Sequence, residues 1–171
     1  MINTFVGNFG HLTTLVAFVS ALVTAFAYSQ YFKANELEKD SWRRFSRVSF
    51  YIHALSTSLI AVSLFEIIYN QRYEYFYAYS HSSKALPVHY MISSFWEGQE
   101  GSFLLWIFWH EVLGVILIKT NKVWEAPMMT VFALVQAFLT SMILGVVIFG
   151  DLKIGSTPFI LMREFMVDAP V

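Results

Sequence analysis

The residues best suited to chemistry lie in one polar stretch, residues 95–106, which reads FWEGQEGSFLLW. Glu97 and Glu100 stand three positions apart, so on a helix they would share one face and could orient toward a partner or a charged cofactor edge. Gly98 and Gly101 permit a positive φ or a close backbone approach. A polar, glycine-rich backbone would lack hydrogen-bond partners in hydrocarbon, so we expect the stretch to lie at a membrane face.

The tryptophans of this stretch support the same placement, because Trp96 and Trp106 suit the headgroup level of a bilayer. The candidate cofactor-binding or outer-rim residues are Trp96, Glu97, Gly98, Gln99, Glu100, Gly101 and Trp106. The structural alternative is the capped start of an interfacial helix, with Ser102 at the N-cap.

Three polar residues fall within or beside apolar runs: His110, Glu111 and Glu66. A charged group at membrane depth costs on the order of 3 kcal/mol, so such residues usually face a bundle interior. Neighbouring helical positions point about 100° apart, so His110 and Glu111 should not simply pair with each other. They could form a proton path, ligate heme or line a quinone pocket; the alternative is hydrogen bonding between helices.

The remaining histidines are His11, His53, His81 and His89, and the sequence leaves their roles open. No pair of histidines has metal-site spacing, and no HExxH, Walker or GxGxxG pattern occurs. We therefore predict no metal site and nominate no catalytic residue. The chain has no cysteine, which excludes disulfides and thiolate chemistry within it.

Composition places these residues in a membrane protein. Of 171 residues, 57% are hydrophobic and 13% charged, and the mean hydropathy is +0.55. Soluble domains are about a quarter charged. No basic stripe supports nucleic-acid binding. We expect a single all-α, polytopic unit over residues 1–171, embedded in a lipid bilayer.

Four apolar runs are long enough to span about 30 Å of hydrocarbon. We expect transmembrane helices over about 9–31, 48–69, 102–118 and 127–149. The connections on one side, mainly residues 33–47, hold seven Lys and Arg, and those on the other side hold four. The positive-inside rule then places both termini and the loop 70–101 on the outer face. That loop has five tyrosines between positions 69 and 79, which predicts either an aromatic belt on the membrane surface or a lid over a planar ligand.

The polar stretch also carries a resemblance to a known family. Leu86-Pro87, Tyr90 and the sequence WEGQEGSFLLW from Trp96 resemble the N-terminal part of CcmF, the heme lyase subunit of bacterial cytochrome c maturation. That family commonly has W-G-G-x-E-G-S, so Glu97 replaces a glycine here. Residues 157–159, Thr-Pro-Phe, resemble the family's Asn-Pro-Phe.

The resemblance implies heme as cofactor, and heme delivery and attachment to the CxxCH motif of apocytochrome c at the outer face of the bacterial inner membrane. It also implies heme-delivery subunits and apocytochrome c as partners. The family's Trp-rich heme-handling segment and its heme-ligating histidines have no match here, so we expect no ligating residue in this chain. We accordingly expect an N-terminal fragment, an early-terminated reading frame or the product of a split gene, which needs further spans or a second chain and is not catalytically complete alone. The alternative function is a small non-enzymatic proton-path or assembly subunit of a respiratory membrane complex.

Overall fold

Four long helices make up most of the protein, and five short elements lie at one end of them. The computed structural model describes residues 4–148 and 152–168. In chain order the elements are α1 (Phe5–Lys33), α2 (Glu36–Tyr69), α3 (Phe76–His81), α4 (Val88–Ser94), α5 (Gln99–Thr120), α6 (Glu125–Leu144), β1 (Val146–Ile148), β2 (Leu152–Ile154) and α7 (Met162–Asp168).

The four long helices are α1, α2, α5 and α6, and each is long and apolar enough to cross a membrane. The predicted helical fold with four spans is therefore confirmed, and the chain is a multi-pass membrane protein. The side of the membrane on which the termini lie stays a prediction.

The basic connection expected over residues 33–47 is mostly helical. Only Ala34 and Asn35 separate α1 from α2. Both have extended backbone, and α2 begins at Glu36. Glu36 and Glu38 in its first turn favour a helix start, because carboxylates stabilise the positive end of the helix dipole. With 34 residues, α2 is about 51 Å long, so its charged first turns extend beyond the hydrocarbon.

The fourth span ends earlier than predicted. The expected run 127–149 is helical only to Leu144, and Val146–Ile148 pairs antiparallel with Leu152–Ile154. Gly145 has φ of 71°, the left-handed conformation that ends many helices, and the β-branched residues that follow favour a strand. Phe149 lies outside the described residues.

The long helices form a ring in which α1 and α5 each pack against both α2 and α6. Small side chains on α1 allow this close approach. Its small buried positions include Gly7, Gly10, Thr14, Ala17, Ser20, Ala21, Thr24 and Ala25. The buried hydroxyls of α1 and α2 donate mainly to backbone carbonyls three or four residues earlier, so their burial leaves few unpaired groups.

The two ends of the bundle differ in build. At the loop end, which comprises residues 70–98, 146–148 and 152–168, the expected loop 70–101 contains α3, α4 and the start of α5. Backbone bonds join its two segments: Phe76 N–H donates to Ile160 and Met162 N–H donates to Glu74. At the basic end, residues 34–35 and 121–124 form short turns between helices.

Candidate functional site

One tyrosine organises the polar stretch at the loop end. Tyr77, in α3, is buried, and its hydroxyl donates to the carbonyl of Phe95 at 2.8 Å. The backbone N–H of Gly98 donates to the same hydroxyl at 3.2 Å. Burial raises the pKa of Tyr77, so the hydroxyl stays a neutral donor and acceptor. The stretch is thus folded around a side chain from the tyrosine-rich loop.

Close packing explains the two glycines of the stretch. A Cβ at Gly98 would lie 2.6 Å from the Tyr77 ring and 2.8 Å from His81 Nε2. A Cβ at Gly101 would lie 1.7 Å from the carbonyl oxygen of Phe95 and 2.4 Å from the Tyr77 hydroxyl. Both positions therefore require glycine for close backbone approach rather than for a positive φ.

The alternative start of the third span at Ser102 is wrong. Gly98 is the N-cap of α5, with extended backbone, and the helix begins at Gln99. Ser102 lies inside the first turn, where its hydroxyl donates to the carbonyl of Trp96 at 2.7 Å. The Gly98 backbone can take the N-cap place because the Tyr77 hydroxyl accepts its N–H.

The predicted rim residues do not converge on one point. Trp96, Glu97 and Gln99 are exposed, whereas Glu100 is half-buried and accepts a hydrogen bond from Ser156. This contact ties the polar stretch to the segment after the hairpin. Trp106 is 64% exposed and lies further along α5.

A groove of about 360 Å³ lies beside Trp96. Its lining residues are Ala61, Val62 and Phe65 of α2 with Ile92, Phe95 and Trp96. The apolar and aromatic walls fit the face of a planar tetrapyrrole such as heme, but none of these six side chains is an iron ligand. These residues would supply a wall for heme and not its axial ligation.

Part of the tyrosine-rich loop is buried in the hydrophobic core. Tyr75 and Tyr77 are buried, and the hydroxyl of Tyr75 accepts the backbone N–H of Gly7 in α1 at 3.0 Å. Tyr79 is exposed. These tyrosines join the loop to α1 and to the start of α5, a role that neither the belt nor the lid hypothesis included.

A buried polar cluster lies in the middle of the bundle. Nε2 of His53, in α2, lies 3.3 Å from a carboxylate oxygen of Glu111, in α5, and the Thr57 hydroxyl donates to the same oxygen. His53 Nδ1 lies 2.8 Å from the carbonyl of Ala17 in α1. The cluster therefore links three helices through Glu111, one of the predicted residues, and His53, whose role the sequence left open.

The hydrogen bond to Ala17 fixes the tautomer of His53. A carbonyl only accepts, so Nδ1 carries a hydrogen and, in the neutral imidazole, Nε2 is an acceptor. A proton between Nε2 and the Glu111 carboxyl group would join the two side chains, whereas without one the two facing atoms are both acceptors and repel at 3.3 Å.

The other two intramembrane candidates, His110 and Glu66, make their contacts away from this cluster. His110 stacks on Phe132 with ring centroids 3.8 Å apart, and its Nδ1 is buried without a hydrogen bond. Glu66 accepts from Arg72 at 2.6 Å near the loop end. His110, Glu111 and Glu66 are therefore in three separate contacts.

Glu125 is a second buried acid, which no pattern in the sequence indicated. Glu125, at the start of α6, is 1% exposed and accepts two hydrogen bonds from Arg47 of α2, at 2.6 and 2.7 Å. The Tyr28 hydroxyl of α1 donates to it at 3.3 Å. Arg47 and Tyr28 lie 78 and 97 positions away in the chain, so only the packing of three helices reveals the pairing.

The remaining histidines lie at the loop end in separate places. His11 lines a groove of about 460 Å³ between α1 and residues 157–164. His81 packs against Tyr77 and His89 against Tyr90, with ring centroids 4.7 and 4.3 Å apart. Within residues 4–148 and 152–168, no group of three His, Asp or Glu side chains could hold a metal ion.

Comparison with known proteins identifies the fold. No family model matches the chain, and no curated protein sequence does. A solved structure titled "Cytochrome c Heme Lyase CcmF" matches 97% of the chain with a TM-score of 0.74 and 17% identity. The match covers 26% of that structure, so the chain spans about a quarter of the protein that it resembles in fold.

Proposed function

We propose that this chain is the N-terminal membrane portion of a CcmF-like heme lyase of cytochrome c maturation. The observation that carries the proposal is the fold match over 97% of the chain. The glycine-containing stretch 95–106 adds support, because its fold around Tyr77 explains the spacing of the glycines that resemble the family motif. The reaction would attach heme to the CxxCH cysteines of apocytochrome c at the outer face of the bacterial inner membrane.

The part played by this chain is to position other components. Heme vinyl groups and client thiols supply the covalent chemistry, so the protein contributes geometry and environment. The groove beside Trp96 would provide an apolar wall near the heme, with Glu97 and Gln99 exposed beside it. The iron ligands would come from further spans of the lyase or from a second chain.

The outer surface of α5 suits contact with such further spans. Trp106, Trp109 and Leu113 recur at helical spacing and are more than half exposed. Heme-delivery subunits and apocytochrome c would then approach the loop end. Both termini would lie on that outer face.

The rival function, a proton-path or assembly subunit of a respiratory complex, has weaker support. A proton path needs groups within hydrogen-bond reach or bridged by water. His110, Glu111 and Glu66 are each paired or stacked with other side chains rather than with one another.

Replacing Trp96 in the native polypeptide tests the proposal. We expect Trp96→Ala to lower the yield of covalently heme-bound cytochrome c severalfold, because it removes a wall of the groove. Phe138→Ala is the matched control, since Phe138 of α6 is also a large exposed aromatic residue but lies neither in that groove nor on the outer surface of α5. Heme staining of denaturing gels measures the yield, and an immunoblot against residues 36–44 normalises it to the amount of variant in membranes.

The same assay separates the two functions. Our proposal predicts that His110→Ala retains cytochrome c yield, because His110 lies far along α5 from the polar stretch. Full yield from Trp96→Ala together with loss of respiratory proton transfer in His110→Ala and Glu111→Gln would instead establish the rival.

A further inference from the structure

A cleft at the basic end combines two lysines with an aromatic wall. It has a volume of about 430 Å³ and lies where the end of α1, the start of α2 and the turn 121–124 meet. Its principal lining residues are Tyr31, Phe32, Lys39, Lys122, Val123 and Trp124.

Lys39 and Lys122 form the cationic side of the cleft. Lys39 pairs with Glu36 at 3.0 Å, but this i,i+3 pair is exposed to solvent and therefore weak. Lys122 has no ion pair among the described residues. Lys122 is thus able to meet an anion directly, and Lys39 can do so by exchanging its solvent-exposed contact with Glu36.

The nearest acid of the turn does not cancel this charge. Glu125 is turned into the bundle, where Arg47 holds it by two hydrogen bonds. The turn 121–124 itself, Asn-Lys-Val-Trp, carries one positive charge and no negative one. Lys39 and Lys122 line the cleft and no acidic residue does, while Glu36 and Asp40 act on Lys39 from outside the lining.

The aromatic side of the cleft has the residue types that are enriched at the boundary between membrane and water. Phe32 and Trp124 are both more than 60% exposed although they are large and apolar. Aromatic residues at the ends of transmembrane helices lie at the level of the lipid headgroups and glycerol. A basic cleft between helix ends at that level has the chemistry that recognises anionic headgroups.

We propose that this cleft binds an anionic phospholipid, with its phosphate between Lys39 and Lys122. The glycerol and the first carbons of the acyl chains lie against Phe32 and Trp124. A lipid satisfies both sides of the cleft, whereas free phosphate would leave the aromatic side exposed. This site lies at the opposite end of the bundle from the polar stretch and is independent of the proposed lyase function.

Lipid retention by the purified full chain tests the proposal. The detergent-solubilised protein is mixed with phosphatidylglycerol or phosphatidylcholine, and native mass spectrometry counts the bound lipids. We expect wild type to retain phosphatidylglycerol preferentially. Lys39→Gln combined with Lys122→Gln should reduce that retention about tenfold or more, since each lysine contributes separately to anion attraction.

A second double variant, Lys33→Gln with Lys119→Gln, is the matched control. Both are exposed lysines in the last turns of α1 and α5, near the same end of the bundle but outside the cleft. It should retain the lipid at nearly the wild-type level. Equal losses in the two double variants would show unspecific surface attraction and overturn the proposal, as would equal retention of the two lipids by wild type.

Two further measurements separate lipid binding from misfolding of the lysine variant and from binding of free phosphate. Trp124→Ala should also weaken phosphatidylglycerol retention without any change of charge, which keeps the test valid if the lysine variant is poorly folded. Soluble glycerol phosphate should not displace the lipid at equal concentration. Complete displacement would mean a free-phosphate site and would contradict the lipid assignment.

Discussion

At the residue scale, the loop end depends on a tyrosine that reaches into a turn built around two glycines. The Tyr77 hydroxyl bonds to Phe95 and Gly98, and the glycines leave room for its ring. The sequence indicated that Gly98 and Gly101 allow close approach, but it could not identify what approaches. That partner lies 21 residues before Gly98 and is one of several similar tyrosines.

Removing this hydroxyl should weaken the loop end in a way that depends on pH. Tyr77→Phe leaves the Gly98 N–H and the Phe95 carbonyl without this partner, at a cost of about 1–3 kcal/mol. Burial raises the pKa of Tyr77, so the unfolded chain ionises first and the native state loses stability as pH rises above about 10.

Unfolding in detergent at pH 8 and at pH 11 measures both effects. Wild type should lose more stability between the two pH values than Tyr77→Phe does. Tyr79→Phe is the control, because Tyr79 is exposed, and it should behave as wild type. An identical pH dependence in wild type and Tyr77→Phe would show that the hydroxyl is not held as described.

A proton shared between His53 and Glu111, which lie 3.3 Å apart, gives a second prediction at this scale. The glutamine side chain of Glu111→Gln can donate an N–H to His53 Nε2, as a protonated carboxyl group does. We therefore expect Glu111→Gln to retain most of the wild-type stability, whereas Glu111→Ala should lose about 1–3 kcal/mol. Thermal unfolding in detergent distinguishes the variants, and equal destabilisation by both would refute the shared-proton arrangement.

At the element scale, the four long helices could be predicted because each contains an apolar run of membrane length. Their ends were less predictable. The end of α6 at Leu144 follows from the left-handed backbone of Gly145. A single glycine within an apolar run does not predict that conformation. The charged start of α2 was assigned to a connection because charge patterns mark the membrane boundary rather than the helix boundary.

The pairing of Arg47 with Glu125 ties α2 to α6 at the basic end. Glu125→Ala removes a buried carboxylate and leaves Arg47 without its bidentate partner, which should cost about 3 kcal/mol. The control is Glu38→Ala, because Glu38 is exposed on α2. Thermal unfolding should show a lower midpoint for Glu125→Ala only, and equal midpoints for the two variants would contradict a stabilising pair.

At the scale of the whole molecule, the sequence could predict which polar residues enter the bundle but not which of them meet. His53 and Glu111 are 58 positions apart in the chain, and their contact depends on the rotation of α2 relative to α5. Arg47 and Glu125 are 78 positions apart. The most specific motif of the family resemblance lies in residues 96–106, and the fold match covers nearly the whole chain, as the resemblance implied.

Covalent heme attachment is the property that the proposed function must affect. Deletion of the gene for this chain in its source organism should abolish heme staining of c-type cytochromes on denaturing gels. Noncovalent b-type heme, measured by difference spectra of the same membranes, should remain. Reintroduction of the wild-type gene should restore the staining, whereas normal levels of covalently bound heme in the deletion strain would contradict a role in cytochrome c maturation.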